Sequence, residues 1–169
     1  MNIRDIIKDY PDYPKQGIVF KDMWPVLDNP DAFQYILEEF EREFEGKIDT
    51  VIGIESRGFV FGAALANKMK ISFMPIRKKG KLPGETISRD YKLEYGSAEI
   101  EITNKSLKNK KILIIDDLLA TGGTVEAAIK LIESLDGTII SLGFLIELKF
   151  LKARDTLTNY NIFSIVSYD

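Results

Sequence analysis

Residues 112–124 read ILIIDDLLATGGT: four aliphatic residues, two adjacent carboxylates, a short apolar step, then a small-residue turn with paired glycines and flanking hydroxyls. No other stretch restricts the fold as much. Ile112 to Ile115 has the length and β-branched content of a strand buried on both faces, and EAAIKLIESL after Thr124 has helical spacing. Residues 116–124 are therefore expected to form a strand-to-helix loop at the carboxyl edge of a parallel sheet, the edge where open α/β sheets bind ligands. There Gly122 and Gly123 let backbone N–H groups approach an anion at a helix N-terminus. Thr121 and Thr124 add hydroxyl donors, and Asp116 with Asp117 offers acceptors for sugar hydroxyls. This chemistry suits a sugar phosphate. The plainer alternative, a structural turn with either Thr capping the helix, leaves two carboxylates at a strand mouth without evident partners.

Composition works by exclusion. A chain of 169 residues with 45% hydrophobic content builds one domain with a substantial core. It has no His and no Cys, which excludes Ser-His-Asp triads, cysteine nucleophiles, zinc sites of the HExxH type and disulfides within this chain. Acid–base work falls to Asp, Glu, Lys or Tyr, and any metal is expected to be a hard cation such as Mg²⁺, held by carboxylates and substrate phosphates. No charged segment followed by an apolar one opens the chain, and no apolar run reaches the ~20 residues of a membrane span, so a cytoplasmic location without membrane association is expected. The net charge of −3 argues against a nucleic-acid-binding face. Positive charge is instead local, in the cluster Arg77, Lys78, Lys79 and Lys81 of IRKKGKLPGE.

The remaining elements alternate as strand and helix. Asn29 reads as an N-cap and Pro30 as the first helical position; Phe33, Ile36, Leu37, Phe40 and Phe44 then recur at helical spacing up to Gly46. Thr50–Ile54 reads as a strand, Arg57–Met69 as a helix with small residues for close packing, and Ile71–Arg77 as a strand. Residues 78–91 are expected to be a long loop, followed by a two-stranded excursion over 91–94 and 98–102. Thr138–Ile146 and Ile162–Val166 complete the strands. GIESRGFVFG forms a second strand-to-helix crossing, where the planar fork of Arg57 suits a diphosphate; an ordinary ion pair with Glu55 or another carboxylate is the plainer alternative.

The stretch 116–124 resembles the phosphoribosyl diphosphate (PRPP) motif of the type I phosphoribosyltransferases. Four further segments, PDYPKQGIVFKDMWPVL at 11–27, GIESRGFVFG at 53–62, IRKKGKLPGET at 76–86 and YKLEYGSAEIEI at 91–102, are similar to the adenine phosphoribosyltransferase family, so the likeness runs nearly end to end. It departs at Lys21, where the family often has Arg, and at Ala153, where it often has Gly. The resemblance implies the type I phosphoribosyltransferase fold in a single domain over residues 1–169: a mainly parallel twisted sheet flanked by helices, with a small N-terminal hood over about 1–27 and a flexible lid over about 78–97.

The implied reaction is adenine plus PRPP giving AMP and pyrophosphate, a step of purine salvage. The resemblance assigns Arg57, Arg77, Lys78 and Lys81 to the diphosphate, and Asp116 and Asp117 to the ribose. Ala120, Thr121, Gly122, Gly123 and Thr124 would hold the 5′-phosphate. Adenine would meet the backbone of Val19 and Lys21 and the apolar faces of Phe20 and Leu148, with Glu94 exchanging its proton. Mg²⁺ carried by the PRPP diphosphate, a homodimer, and a non-proline cis peptide between Glu55 and Ser56 are also implied. Two alternatives stay open: transfer to another nucleobase, and a non-catalytic PRPP or nucleotide sensor.

Overall fold

The computed structural model describes residues 1–92 and 97–169. Lys8–Pro11 (β1) and Val19–Asp22 (β2) pair antiparallel as a small separate sheet, and Trp24–Leu27 forms a single helical turn, α1. The helix Pro30–Phe44 (α2) begins as its sequence dictates: the Asn29 side chain accepts from the amides of Asp31 and Ala32, each at 3.1 Å, and Pro30 occupies the first turn. Its buried stripe is Ala32, Ile36, Leu37, Phe40 and Phe44.

Thr50–Ile54 (β3) is buried throughout and leads into Gly58–Met69 (α3), then Ser72–Lys78 (β4). Thr86–Lys92 (β5) and Ser97–Thr103 (β6) follow. The chain continues with Lys111–Leu119 (β7), Gly123–Ser134 (α4), Thr138–Leu148 (β8) and Ile162–Tyr168 (β9). Seven strands form one sheet in the order β5-β6-β4-β3-β7-β8-β9, parallel from β4 to β9, with β6 and β5 added antiparallel at one edge. The pleat sorts β7 between two cores. Ile112 and Ile114 face the layer that holds α4, whereas Leu113 and Ile115 face the layer that holds α2 and α3. Among the described residues, no helix is long and apolar enough to cross a membrane.

Two expectations shift. Asp116 and Asp117 lie inside β7 rather than in a loop, because β8 runs alongside to Leu148 and continues the ladder through Asp116↔Phe144 and Leu119↔Glu147. The connection to α4 shrinks to residues 120–122. The expected loop over 78–91 ends early, since β5 starts at Thr86 and pairs residue for residue with β6. Ser88, Arg89 and Asp90 disguise this strand in the sequence, while Ile87 and Tyr91 pack on the core of the α4 layer. The excursion is not detached, because β6 joins β4 through Arg77↔Glu101 and Lys78↔Ile100. Glu94 falls within residues 93–96, outside the described residues.

Candidate active site

The parallel order of β3 and β7 brings two polar loops to one edge of the sheet. Between them opens a cleft of about 530 Å³ lined by Trp24, Glu55, Ser56, Arg57, Lys78, Tyr91, Asp116, Asp117 and Thr124. It shares Asp116 and Thr124 with an adjoining pocket of about 80 Å³, formed by Leu118 through Val125 and Phe144. The sites expected for diphosphate, ribose and 5′-phosphate are thus neighbours.

At the turn, Gly122 takes φ 93°, a left-handed conformation that favours glycine, and its carbonyl accepts from Glu126 N at 2.9 Å. No side chain caps α4. Neither Thr121 nor Thr124 serves the plainer role, so the first amides of α4 and two hydroxyls remain available to an anion. Ala120, Thr121, Gly122, Gly123 and Thr124 all line the smaller pocket.

Arg57 Nε lies 2.8 Å from Asp117 Oδ2, so the ion pair foreseen as the plainer reading is present while the same guanidinium faces the cleft. Asp117 is 6% exposed, and its amide donates to Asp116 Oδ1 at 2.8 Å. Burial, reinforced by the adjacent Asp117 carboxylate, pushes the Asp116 carboxyl well above the usual range. Such a site is destabilised until hydrogen-bond donors arrive.

The basic cluster divides by role. Arg77 Nη2 and Nε bind Glu55 at 3.0 and 3.3 Å, and Nη1 donates to the Lys81 carbonyl at 3.0 Å, so its guanidinium is occupied within the protein. This bond to Arg77 is the main reason the Glu55 carboxyl sits below its ordinary range; the Lys78 amide, 2.9 Å away, adds to it. Lys78 and Lys81 form no ion pair among the described residues, and Lys78 lines the cleft. Lys79 is paired with Glu99 at 3.0 Å. The turn at 79–85 hangs on Glu101, 2% exposed, which accepts from the amides of Lys81 and Leu82 at 2.8 Å each and from Thr86 Oγ1 at 3.1 Å. The peptide between Glu55 and Ser56 is cis, as expected.

On the hood, Phe20 meets Tyr13 edge-on at 5.3 Å, and the Arg57 guanidinium lies 5.8 Å from the Phe20 ring. The Lys21 ammonium is held 2.6 Å from Asp9 and 3.9 Å over Tyr168, so its charge is occupied within the protein. Val19 is exposed, and Leu148 ends β8 opposite Tyr168 of β9. Sequence reasoning missed Trp24, Tyr91 and the buried Glu101 and Glu147. Glu147 had a signal: it is the one charged residue of β8, TIISLGFLIEL. Trp24 had none beyond its being the only tryptophan. Among the described residues no three metal-ligating side chains cluster.

A profile described as "Phosphoribosyl transferase domain" matches residues 27–167. The adenine phosphoribosyltransferase of Halothermothrix orenii is 50% identical over 170 residues, covering 98% of this chain and 99% of the relative. The crystal structure of the adenine phosphoribosyltransferase from Thermoanaerobacter pseudethanolicus superposes with a TM-score of 0.94 at 46% identity, covering 98% of both chains. That of the Saccharomyces cerevisiae enzyme, complexed with an imino-altritol bisphosphate and adenine, does so at 0.91 and 40%, covering 96% of both. With a full-length match in sequence and fold, the chain belongs to the phosphoribosyltransferase family, in its adenine phosphoribosyltransferase branch.

Proposed function

We infer that the protein is a purine-salvage transferase that moves the phosphoribosyl group of PRPP to adenine, releasing AMP and pyrophosphate. The observation that carries this reading is the uncapped turn at 120–124 beside the Asp116–Asp117 pair and the Arg57 loop, in a chain 50% identical to an adenine phosphoribosyltransferase. Transfer to another base and a sensing role lack any comparable support.

Displacement at the anomeric carbon leaves positive charge on the sugar and negative charge on the departing diphosphate, so preorganised electrostatics supply most of the catalysis. Arg57 and Lys78, with Lys81 from the adjoining turn, neutralise the diphosphate, and Arg77 holds Glu55 and that turn in place. Asp117 and Asp116 accept from the ribose hydroxyls, and the turn at 120–124 anchors the 5′-phosphate, so binding remote from the reacting carbon orients it. Bound with PRPP, Mg²⁺ would add charge neutralisation at the diphosphate oxygens. Adenine lies against Phe20 and Leu148, with the backbone of Val19 and Lys21 at its edge and Glu94 taking its ring proton. The turn at 79–85 closes over the diphosphate, because β5 from Thr86 onward is held in the sheet. Family likeness also supports a homodimer and a cytoplasmic location.

Pyrophosphate release measured with adenine, hypoxanthine, guanine and orotate tests the reading. Adenine is expected to dominate and excess EDTA to abolish turnover; comparable use of hypoxanthine would overturn the assignment. Glu94→Gln is expected to lower turnover by roughly 10² to 10⁴ with little change in PRPP affinity. Near-normal turnover, with chemistry shown to be rate-limiting, removes Glu94 from the acid–base role.

A further inference from the structure

The back wall of the phosphate turn is supplied by the connection between β8 and β9. A Cβ added at Gly122 would lie 3.4 Å from Ala153 Cβ, 3.6 Å from Leu157 Cδ1 and 3.7 Å from Thr156 Oγ1, and both Ala153 and Leu157 are buried. This connection, residues 149–161, is irregular, with 3₁₀ turns at Lys149–Leu151 and Ala153–Asp155, and the backbone hydrogen bonds of 149–160 stay within that stretch rather than tying it to the sheet.

One side chain compensates. Arg154 binds Glu147 through both arms of its fork, Nε to Oε1 at 2.6 Å and Nη2 to Oε2 at 2.8 Å. Ser164 of β9 donates to the same Oε2 at 2.7 Å. Glu147 is 2% exposed and stands in register with Leu119, the last residue of β7 before the turn. A single carboxylate therefore ties β9 and the wall behind Gly122 to the end of β8, the strand that pairs with the end of β7. Two parallel hydrogen bonds fix orientation as well as distance, which a lysine ammonium cannot reproduce.

We propose that Glu147 and Arg154 are positioning residues for the phosphate subsite: they hold Ala153 and Leu157 behind Gly122 and so keep the amides of the turn aimed at the substrate phosphate. Neither touches substrate. The proposal rests on reading residues 120–124 as the 5′-phosphate site.

The test compares Arg154→Lys with a control on the same connection that leaves the Glu147 bonds intact, Tyr160→Phe, which removes the 2.6 Å bond from Tyr160 to Glu133. Dissociation constants for AMP and for adenine are measured by calorimetry beside melting temperatures and PRPP KM. Arg154→Lys is expected to weaken AMP and raise PRPP KM about tenfold while free adenine changes less than about twofold, which is the loss of roughly one well-oriented charged contact. Tyr160→Phe is expected to leave all three unchanged. Unchanged AMP affinity in Arg154→Lys overturns the proposal, as does an equal loss in Tyr160→Phe at a matched melting shift. If Arg154→Lys does not fold, Ser164→Ala is read the same way, with an expected loss of about threefold. Thr124→Val separates the two readings: if it weakens AMP and Arg154→Lys does not, the clip alone is wrong; if it leaves AMP unchanged, the phosphate subsite itself is misplaced.

Discussion

At the residue scale, the site gathers groups that folding alone does not favour. Asp116 is the clearest case. Its folded-state pKa is raised by burial and by Asp117, so the stability it contributes is fully present below the unfolded value of about 3.9 and is lost as pH rises through the folded value. At neutral pH its carboxylate is a cost to folding. Asp116→Asn is accordingly expected to raise the ligand-free melting temperature at pH 7.5 by about 2–4 °C while weakening PRPP. A lowered melting temperature in calorimetry contradicts this account. Trp24 is a second case, 53% exposed yet part of the cleft wall with Arg57, Lys78 and Tyr91. Because the chain has a single tryptophan, its emission reports that wall alone. Saturation with PRPP is expected to shift the emission to the blue as water leaves the indole; an unshifted spectrum places Trp24 outside the contact.

At the element scale, precision comes from how closely α3 approaches the sheet. The small residues of GFVFGAALANKM, which suggested close packing in the sequence, are where the contact occurs. A Cβ on Gly58 would lie 2.7 Å from the Ile115 carbonyl and 3.0 Å from Asp116 Oδ1, and one on Gly62 would lie 2.9 Å from both Ile115 and Phe73. Gly58 therefore touches the strand end that carries Asp116 and Asp117. Gly58→Ala is expected to destabilise by about 1–3 kcal/mol through overpacking and to weaken PRPP by displacing Asp116. Urea unfolding measures the first effect and PRPP KM the second; a neutral variant would mean that β7 yields without loss. Strand ends were poorly legible in the sequence at this scale. β7 was expected to stop at Ile115 because Asp116 interrupts the aliphatic run, but strand length is set by the neighbour that completes the hydrogen-bond ladder, and β8 does so to Glu147.

At the scale of the whole molecule, carboxylates at the site's edge couple stability to pH. Glu55 and Glu147 are held below the ordinary range chiefly by their bonds to Arg77 and Arg154. Burial alone would raise Glu101, but the amides of Leu82, Lys81 and Gly80 and the Thr86 hydroxyl outweigh it and leave it lowered. Groups depressed in the folded state give stability that is present above their unfolded value of about 4.3 and is lost as pH falls through their folded values. The urea midpoint is expected to fall steadily from pH 5 to pH 3, with proton uptake on unfolding. A flat profile would show that these bonds contribute nothing net.

Burial in strands and helices repeats with a local period, and for that reason the sequence by itself determined the βα alternation, the N-cap at Asn29, the glycine turn before α4 and the exclusion of imidazole and thiol chemistry. Only the tertiary structure decided which charges are free and which are occupied. Arg77 is taken by Glu55, Lys21 by Asp9 and Tyr168, Arg154 by Glu147, while Lys78 faces the cleft. Those partners meet because of strand order and register, which follow from packing both faces of the sheet at once and leave no periodic trace in the neighbouring residues.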